Sequence, residues 1–396
     1  MNSMRLFRFF PVVLQLVLLF ALPCAVVAQP ATDSLQVSLL TASPGSEVYE
    51  KFGHTALRVR DVSGKTDVVF NYGLFSFNTP NFIFRFVKGE TDYQLGATEF
   101  AYFPMEYAMR GSRVTEQVLN ISSDEAARIF RALLENYRPE NRVYRYNFFF
   151  DNCSTRPRDM IANNLTDSIR YATPDSLFTF RELVYSKTDA SSWLSFGIDL
   201  TLGANADRKA TYAEAMFLPE ILMDAFEGAT IGDKPLVNKT IVVVEEDTPE
   251  LHSASVLDRS VIVCWGLFIL ILASSVIELR RKKIVRPIDT LLFGIAGLAG
   301  CVLFFLNFIS VHPAVDDNYN CIWLQPLQLF AAIAVWVKSA KRVLYYYHFA
   351  NFVALLLLLL FYGVIPQHFN AAFFPLIGVL MLRSALHIIL RLKNHR

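Results

Sequence analysis

The sequence predicts an α+β domain outside a membrane, followed by an all-α bundle of five transmembrane helices. Three observations predict it. The N-terminus carries an export signal, residues from about 30 to 255 are mixed and charged, and apolar runs dominate from Val261 onward. The basic residues between those runs fix the side of the membrane that each part occupies.

The signal comes first. In "MNSMRLFRFFPVVLQLVLLFALPCAVVAQP", Arg5 and Arg8 precede an apolar run from about Phe9 to Leu22. Small residues then lead to Ala28, with Val26 at the third position before the cut. This is the pattern of a secretory signal peptide cleaved after Ala28. Cys24 offers a lipidation site as the alternative, with Pro23 directly before it standing against that reading. The expected divisions are a signal peptide (1–28), an outer domain (29–250), a tether (251–260) and a membrane domain (261–396).

Five runs approach the roughly 20 residues that cross a bilayer. They are about Val261–Leu279, Ile288–Ser310, Ile322–Val337, Leu344–Ile365 and Ala371–Leu390, the third being short and containing Pro326. "RRKKIVR", "KSAKR" and "RLKNHR" follow the first, third and fifth runs, whereas "VHPAVDDNYN" and "PQHFN" carry no Lys or Arg. Basic loops stay in the cytoplasm. The outer domain and the two non-basic loops therefore share the far side, and the C-terminus is cytoplasmic. The net charge of +1 hides this arrangement and says nothing about partners, and no basic, aromatic-interleaved face suggests nucleic acid. No Gly-rich phosphate loop and no cofactor motif is present. His312, Asp316 and Asp317 lack the spacing of a metal site, so neither metal nor cofactor is expected.

Of five cysteines, only Cys153 belongs to the outer domain. Exported domains usually pair their cysteines, and an odd one suggests a reactive thiol. The competing readings are a buried inert cysteine and a disulfide to Cys321. Within "YNFFFDNCSTRPRDM", Asp151 or Asn152 can cap a helix that starts just after the cysteine. The positive end of that helix, with Arg156 and Arg158 nearby, favours the thiolate. The aromatic "VYRYNFFF" before it reads as a buried strand.

A thiol nucleophile needs a base to take its proton. His54 is the only histidine in the body of the outer domain; His252 lies in the tether. "HTALRVRD" and "TDVVFNYG" read as paired strands joined by a turn at "VSGK". A turn centred near Ser63 and Gly64 sets His54 opposite Gly73 and puts Asn71 on the same face, by the two-residue period of a strand. Asn71 then orients the imidazole. A histidine that merely ends a strand is the competing reading. "SSDEAARIFRALLENY" reads as a Ser-capped packing helix, "FLPEILMDAFEGATIG" as a helix lying toward the membrane, and "KTIVVVEED" as a strand.

"GHTALRV" followed about a hundred residues later by "DNCSTR" resembles the permuted papain-like thiol enzymes, which include lecithin–retinol acyltransferase. In that group the histidine strand precedes the cysteine helix. A closer resemblance rests on "SPGSEVYEKFGHTALRV", "FNYGLFSF", "NFFFDNCSTRPRDMI", "AEAMFLPEIL" and "HPAVDDNYNCIWLQP". Together these are similar to the Lnb family of bacterial lipoprotein N-acyltransferases. The resemblance implies a periplasmic, permuted papain-like thiol domain on a membrane bundle in the bacterial inner membrane. It implies Cys153 as nucleophile, His54 as base, a phospholipid acyl donor and a diacylated lipoprotein acceptor. Arg156 and Arg158 are candidates to hold the donor phosphate, with ion pairing to Asp159 as the alternative. His312, Asn318 and Asn320 are candidates for a polar floor that binds head group or acceptor amine, with a solvated loop as the alternative. A membrane-anchored cell-wall amidopeptidase and an inactive binding module are the other functional readings.

Overall fold

The structure, a computed structural model, describes residues 35–76, 78, 80–174, 176–247 and 256–393. The expected signal peptide and half of the expected tether, with His252, lie outside the described residues.

Alternation of apolar side chains builds the outer domain. Its strands are β1 (Leu35–Ala42), β2 (His54–Asp61), β3 (Asp67–Leu74), β4 (Asp92–Glu99), β5 (Val114–Leu119), β6 (Val143–Arg145), β7 (Ile169–Arg170), β8 (Thr230–Ile231), β9 (Lys234–Pro235) and β10 (Val237–Val244). Seven of them form one antiparallel sheet in the order β10-β5-β1-β2-β3-β4-β6, and β7-β8-β9 form a small second sheet. Its helices are α1 (Phe82–Lys88), α2 (Tyr102–Met109), α3 (Ser123–Tyr137), α4 (Thr155–Ala162), α5 (Phe180–Tyr185), α6 (Trp193–Thr201), α7 (Tyr212–Ala215) and α8 (Pro219–Glu227).

Successive residues of a strand serve opposite faces. Val37 and Leu39 of β1 join Leu57, Val59, Phe70 and Tyr72 in one core, whereas Leu40 and Ala42 join Ala56, Val69 and Val114 in the other. The first face is covered by Ile129 and Leu133 of α3 and by Leu222 and Phe226 of α8. The second is covered by Phe103 and Tyr107 of α2. Ser122 and Glu125 close a capping box at the start of α3, as its sequence requires. The expectation for α8 is corrected: its apolar residues pack on the sheet, not toward the membrane. The aromatic run "VYRYNFFF" is also not one strand. Pairing with β4 stops at Arg145, and a bridge between Asn147 and Asp151 folds the rest into a tight turn.

The membrane domain contains α9 (Ser260–Arg281), α10 (Arg286–Phe308), α11 (Gln328–Ala334), α12 (Lys341–Leu360) and α13 (Phe373–Lys393). Among the described residues, four helices are long and apolar enough to cross a bilayer. The exception is the expected third span. Residues 322–337 form a seven-residue helix, α11, between irregular turns. Seven residues rise only about 10 Å, against a core of about 30 Å. Pro326 removes a backbone donor where a continuous helix would need one, and Gln328 turns inward to donate to Trp323 O at 2.7 Å. The segment nevertheless follows α10 antiparallel along its length. Asn318 N–H donates to Asn307 Oδ1 (2.8 Å), Gln325 lies against Gly300, Leu329 against Gly297, and Thr290 Oγ1 donates to Ala332 O (3.1 Å). Irregular backbone is tolerated at membrane depth when protein surrounds it.

Charge inside this bundle is paired, as it must be. Arg383 of α13, fully buried, bonds Glu278 of α9 and Asp289 of α10, both at 2.7 Å, and His387 bonds the other oxygen of Asp289 at 2.8 Å. The cluster ties three spans together close to the basic loops. Glu278 and Asp289 sit among apolar residues and give no helical-wheel signal of their own.

The outer domain is bolted to the opposite end of the bundle. Asp199 of α6 accepts from Arg181 Nη1 (2.6 Å), Tyr185 Oη (2.6 Å) and Asn370 Nδ2 (2.8 Å). Gln367 Nε2 donates to Leu202 O (2.9 Å), and Gly203 N–H to Ala314 O (2.8 Å). Phe196 of α6 meets Phe373 of α13 edge-on at 5.2 Å.

Candidate active site

The hairpin of β2 and β3 places the first side chains. Its turn is closed by Gly64 N–H on Asp61 O (2.9 Å) and Ser63 N–H on Asp61 Oδ1 (2.9 Å). The register pairs Ala56 with Asn71 and Arg58 with Val69. Continued by two residues, it sets His54 opposite Gly73, the arrangement the turn at Ser63 and Gly64 predicts. His54 Nε2 lies 3.2 Å from Asn71 Oδ1. With Nε2–H donated to Asn71, the free lone pair of the imidazole is on Nδ1.

The turn after β6 places the thiol. Asn152, buried, caps α4: its Oδ1 accepts from Ser154 N–H (2.8 Å) and Thr155 N–H (2.9 Å). Thr155 Oγ1 accepts from Asn152 N–H (2.9 Å), and Asn152 Nδ2 donates to Phe148 O and Phe217 O. Every polar atom of the Asn152 side chain is used, so the turn carrying Cys153 is rigid. The Thr55 N–H and the Tyr146 hydroxyl lie near the thiol and favour its charged form. A Cβ added at Gly73, where φ is +93°, would sit 3.3 Å from Cys153 Cβ. Cys153 therefore lies at the paired ends of β2 and β3, against the amide of the residue after His54. Its partners are not sulfur: Cys153, Cys264, Cys301 and Cys321 are all free, so the alternative of a Cys153–Cys321 disulfide falls.

Electrostatics correct one expectation. Burial pushes the Cys153 thiol up to about 11, against the opposing pull of the Thr55 and Cys153 amides and the Tyr146 hydroxyl. Burial also lowers His54 to about 4, with the Asn71 bond raising it and the Arg110 charge lowering it further. Both groups are neutral near pH 7. Burial therefore works against the thiolate that the helix start was expected to favour. The nearby arginines add little, since both are engaged by carboxylates. Arg156 makes two bonds to Asp151 (2.5 and 2.8 Å) and lies 3.5 Å over the Tyr144 ring. Arg158 bonds Asp159 (2.7 Å) and the Ala213 carbonyl.

Tyrosines wall the thiol. Tyr93 is raised to about 12 by burial and then by the proximity of Cys153. Tyr144 and Tyr146 are raised further by the same causes. The Tyr144 hydroxyl is buried with no hydrogen-bond partner among the described residues, an unused donor in the wall. Sequence reasoning missed Tyr146 and Tyr144. The signal that names them is their place in the aromatic run directly before the cysteine.

The outer-loop candidates stand elsewhere. Asn318 Nδ2 donates to Leu200 O (2.8 Å) and Thr201 O (3.2 Å), and Asn320 Nδ2 to Asp199 O (2.9 Å). Both are buried in the junction between domain and bundle. His312 Nε2 bonds Phe86 O at 2.5 Å and lines a cleft of about 360 Å³ with Phe149, Phe150, Phe180 and Arg208. The structure does not bring these three residues to Cys153. Among the described residues no group of three or more His, Cys, Asp or Glu is placed to hold a metal ion.

Two family models match the chain: the Lnb N-terminal periplasmic domain over residues 25–186 and the Lnb transmembrane domain over residues 255–395. The chain belongs to the Lnb family. The outer domain is thus its periplasmic part, and the bundle its membrane part. His54, Asn71, Tyr146 and Cys153 all fall within the first match, whereas Asp199 and the rest of α6 fall between the two. No curated protein and no solved structure matches. Membership in the Lnb family supports a role like that of a lipoprotein N-acyltransferase.

Proposed function

We propose that this protein moves an acyl chain from a phospholipid, through a thioester on Cys153, to the α-amino group of a diacylglyceryl-cysteine lipoprotein. The observation that supports the reading most is the setting of the thiol. It lies near the Thr55 amide beside a histidine oriented by Asn71, in a domain fixed to a membrane bundle.

His54 Nδ1 takes the proton of the Cys153 thiol as the sulfur attacks the donor ester carbonyl. The Cys153 N–H stabilises the oxyanion; one such donor is worth about 3 kcal/mol. Collapse breaks the ester C–O bond, and His54 returns the proton to the leaving lysophospholipid. A thioester remains on Cys153. The acceptor's neutral amine then attacks it, His54 takes the amine proton and passes it to the departing Cys153 sulfur, and the amide forms as the C–S bond breaks. Proton transfer within the site suits a neutral pair, because the base must be free and the thiol must be charged only while it reacts.

In this reading the periplasmic domain is a permuted papain-like thiol domain in a bacterial inner membrane, with a cytoplasmic C-terminus, and residues 322–337 make the fifth crossing with only one short helix. Arg156, Arg158, Asn318 and Asn320 act through the architecture, since their polar groups are engaged within the chain. Mass spectrometry of a reporter lipoprotein tests the reading. In a strain with no second acyltransferase, the parent protein should yield the triacylated N-terminus and Cys153→Ala the diacylated one. Triacylated lipoprotein in the Cys153→Ala strain would sink the mechanism.

A further inference from the structure

Helix α1 carries apolar side chains on its surface: Ile83, Phe84 and Phe86 are 78%, 58% and 49% exposed. One exposed apolar residue needs no explanation, but three on one short helix form a patch. Its attachment shows what it faces. Val311 N–H donates to Lys88 O (2.9 Å), Ser310 Oγ to Val87 O (3.0 Å), and His312 holds Phe86 O. Gly89 ends α1 at φ +79°, and a Cβ there would meet His312 N at 2.8 Å, so only glycine permits this approach. The Phe84 ring lies 6.0 Å from Phe305 of α10. The patch therefore continues the exposed surface of a spanning helix, where Phe304 and Phe308 are also uncovered. Arg85 and Lys88 on the same helix pair with Asp92 and Glu90, the mixed polarity of a segment lying in a membrane interface.

A run of rings leads inward from this helix. Centroids are 6.0 Å apart from Phe86 to Phe82, 6.1 Å to Phe75, 5.1 Å to Tyr93 and 4.1 Å to Tyr146. Tyr146 then lies beside Cys153, whose pKa it lowers and by which its own is raised. Each ring except Phe86 is half-buried, leaving part of its surface uncovered.

We propose that α1 lies in the periplasmic-side leaflet, and that these five rings carry one acyl chain of a membrane glycerophospholipid to Cys153. The inference rests on acyl transfer through Cys153 and adds where the donor enters. Full-length protein in nanodiscs of phosphatidylethanolamine and phosphatidylglycerol is assayed for acylated Cys153 by mass spectrometry. Ile83→Asn and Phe82→Ala should each lower thioester formation from disc lipid at least fivefold, yet leave acylation by water-soluble p-nitrophenyl acetate within twofold. Unchanged reaction with disc lipid, or equal loss with both donors, overturns the path. A parent protein that forms no thioester from either donor overturns the acyl-transfer reading instead. The path is then read by photolabelling of Cys153→Ala protein with a phospholipid bearing a diazirine at its chain end. Label should appear within residues 75–93; label confined to the spanning helices overturns the path.

Discussion

Two polar clusters of this molecule, one fully buried at Asp199 and Arg181 and one half-buried at Cys153 and His54, are built in opposite ways. At the junction, both Asp199 carboxylate oxygens and its carbonyl are bonded, and Arg181 spends its guanidinium on Asp199, Asp207 and the carbonyls of Leu202 and Gly203. At the thiol, the Tyr144 hydroxyl is left unengaged among the described residues. The first cluster is saturated with hydrogen bonds, whereas in the second burial favours the neutral forms of Cys153 and His54. The difference separates holding from reacting: a group with every bond filled has nothing to offer a substrate.

The comparison can be broken first at its reactive end. Cys153→Ala should abolish transfer, by about a thousandfold or more, while the protein accumulates normally in the membrane. His54→Ala should fall almost as far, and the double variant little further, because groups that work as one unit are strongly non-additive. Additive losses in single-turnover rates would assign His54 to packing.

Arg181→Ala tests the saturated end. Removing one partner of a buried pair costs about 3–5 kcal/mol, so the thermal midpoint in detergent should drop sharply. A midpoint unchanged from the parent would show that the junction is not held by this cluster. Asn71→Ala lies between the two: about a tenfold slower acylation of Cys153 is expected, with folding intact, since a neutral side chain only orients the base. A thermal midpoint that falls in step with the rate would make Asn71 structural.

The smallest effect concerns pH. His54 is lowered to about 4, so the free base survives well below the ordinary value near 6.5. As pH falls, thioester formation should decline near pH 4, where His54 gains a proton and can no longer accept one. Arg110→Gln removes a charge that lowers His54 and should move this decline to higher pH. A decline near pH 6.5 in the parent would contradict a desolvated base.

The hairpin was legible because a two-residue period and a turn fix a register without knowledge of the rest of the fold. Four of the five expected spans were legible from length and apolar composition for the same local reason. The break at residues 322–337 follows from Pro326 and from the inward Gln328, which a count of apolar residues averages away. Asn318 and Asn320 read as loop residues because their partners, Asp199, Leu200 and Thr201, lie over a hundred positions away. The end of α4 was visible near Cys153, whereas the burial that overrides it comes from the tertiary packing around residues 93, 144 and 146. Local chemistry was readable, and distant desolvation was not.

Keeping Cys153 protonated has a consequence for survival. The periplasm is an oxidising compartment, and the anion attacks peroxides and disulfides far faster than the neutral sulfhydryl does. An exported enzyme with one unpaired cysteine and a permanently ionised sulfur would be lost to sulfenic acid between turnovers. Here the tyrosine-lined setting favours the neutral sulfhydryl. At neutral pH, hydrogen peroxide should therefore consume Cys153 in the resting protein more slowly than it consumes free cysteine, and the timing of ionisation becomes a means of protection.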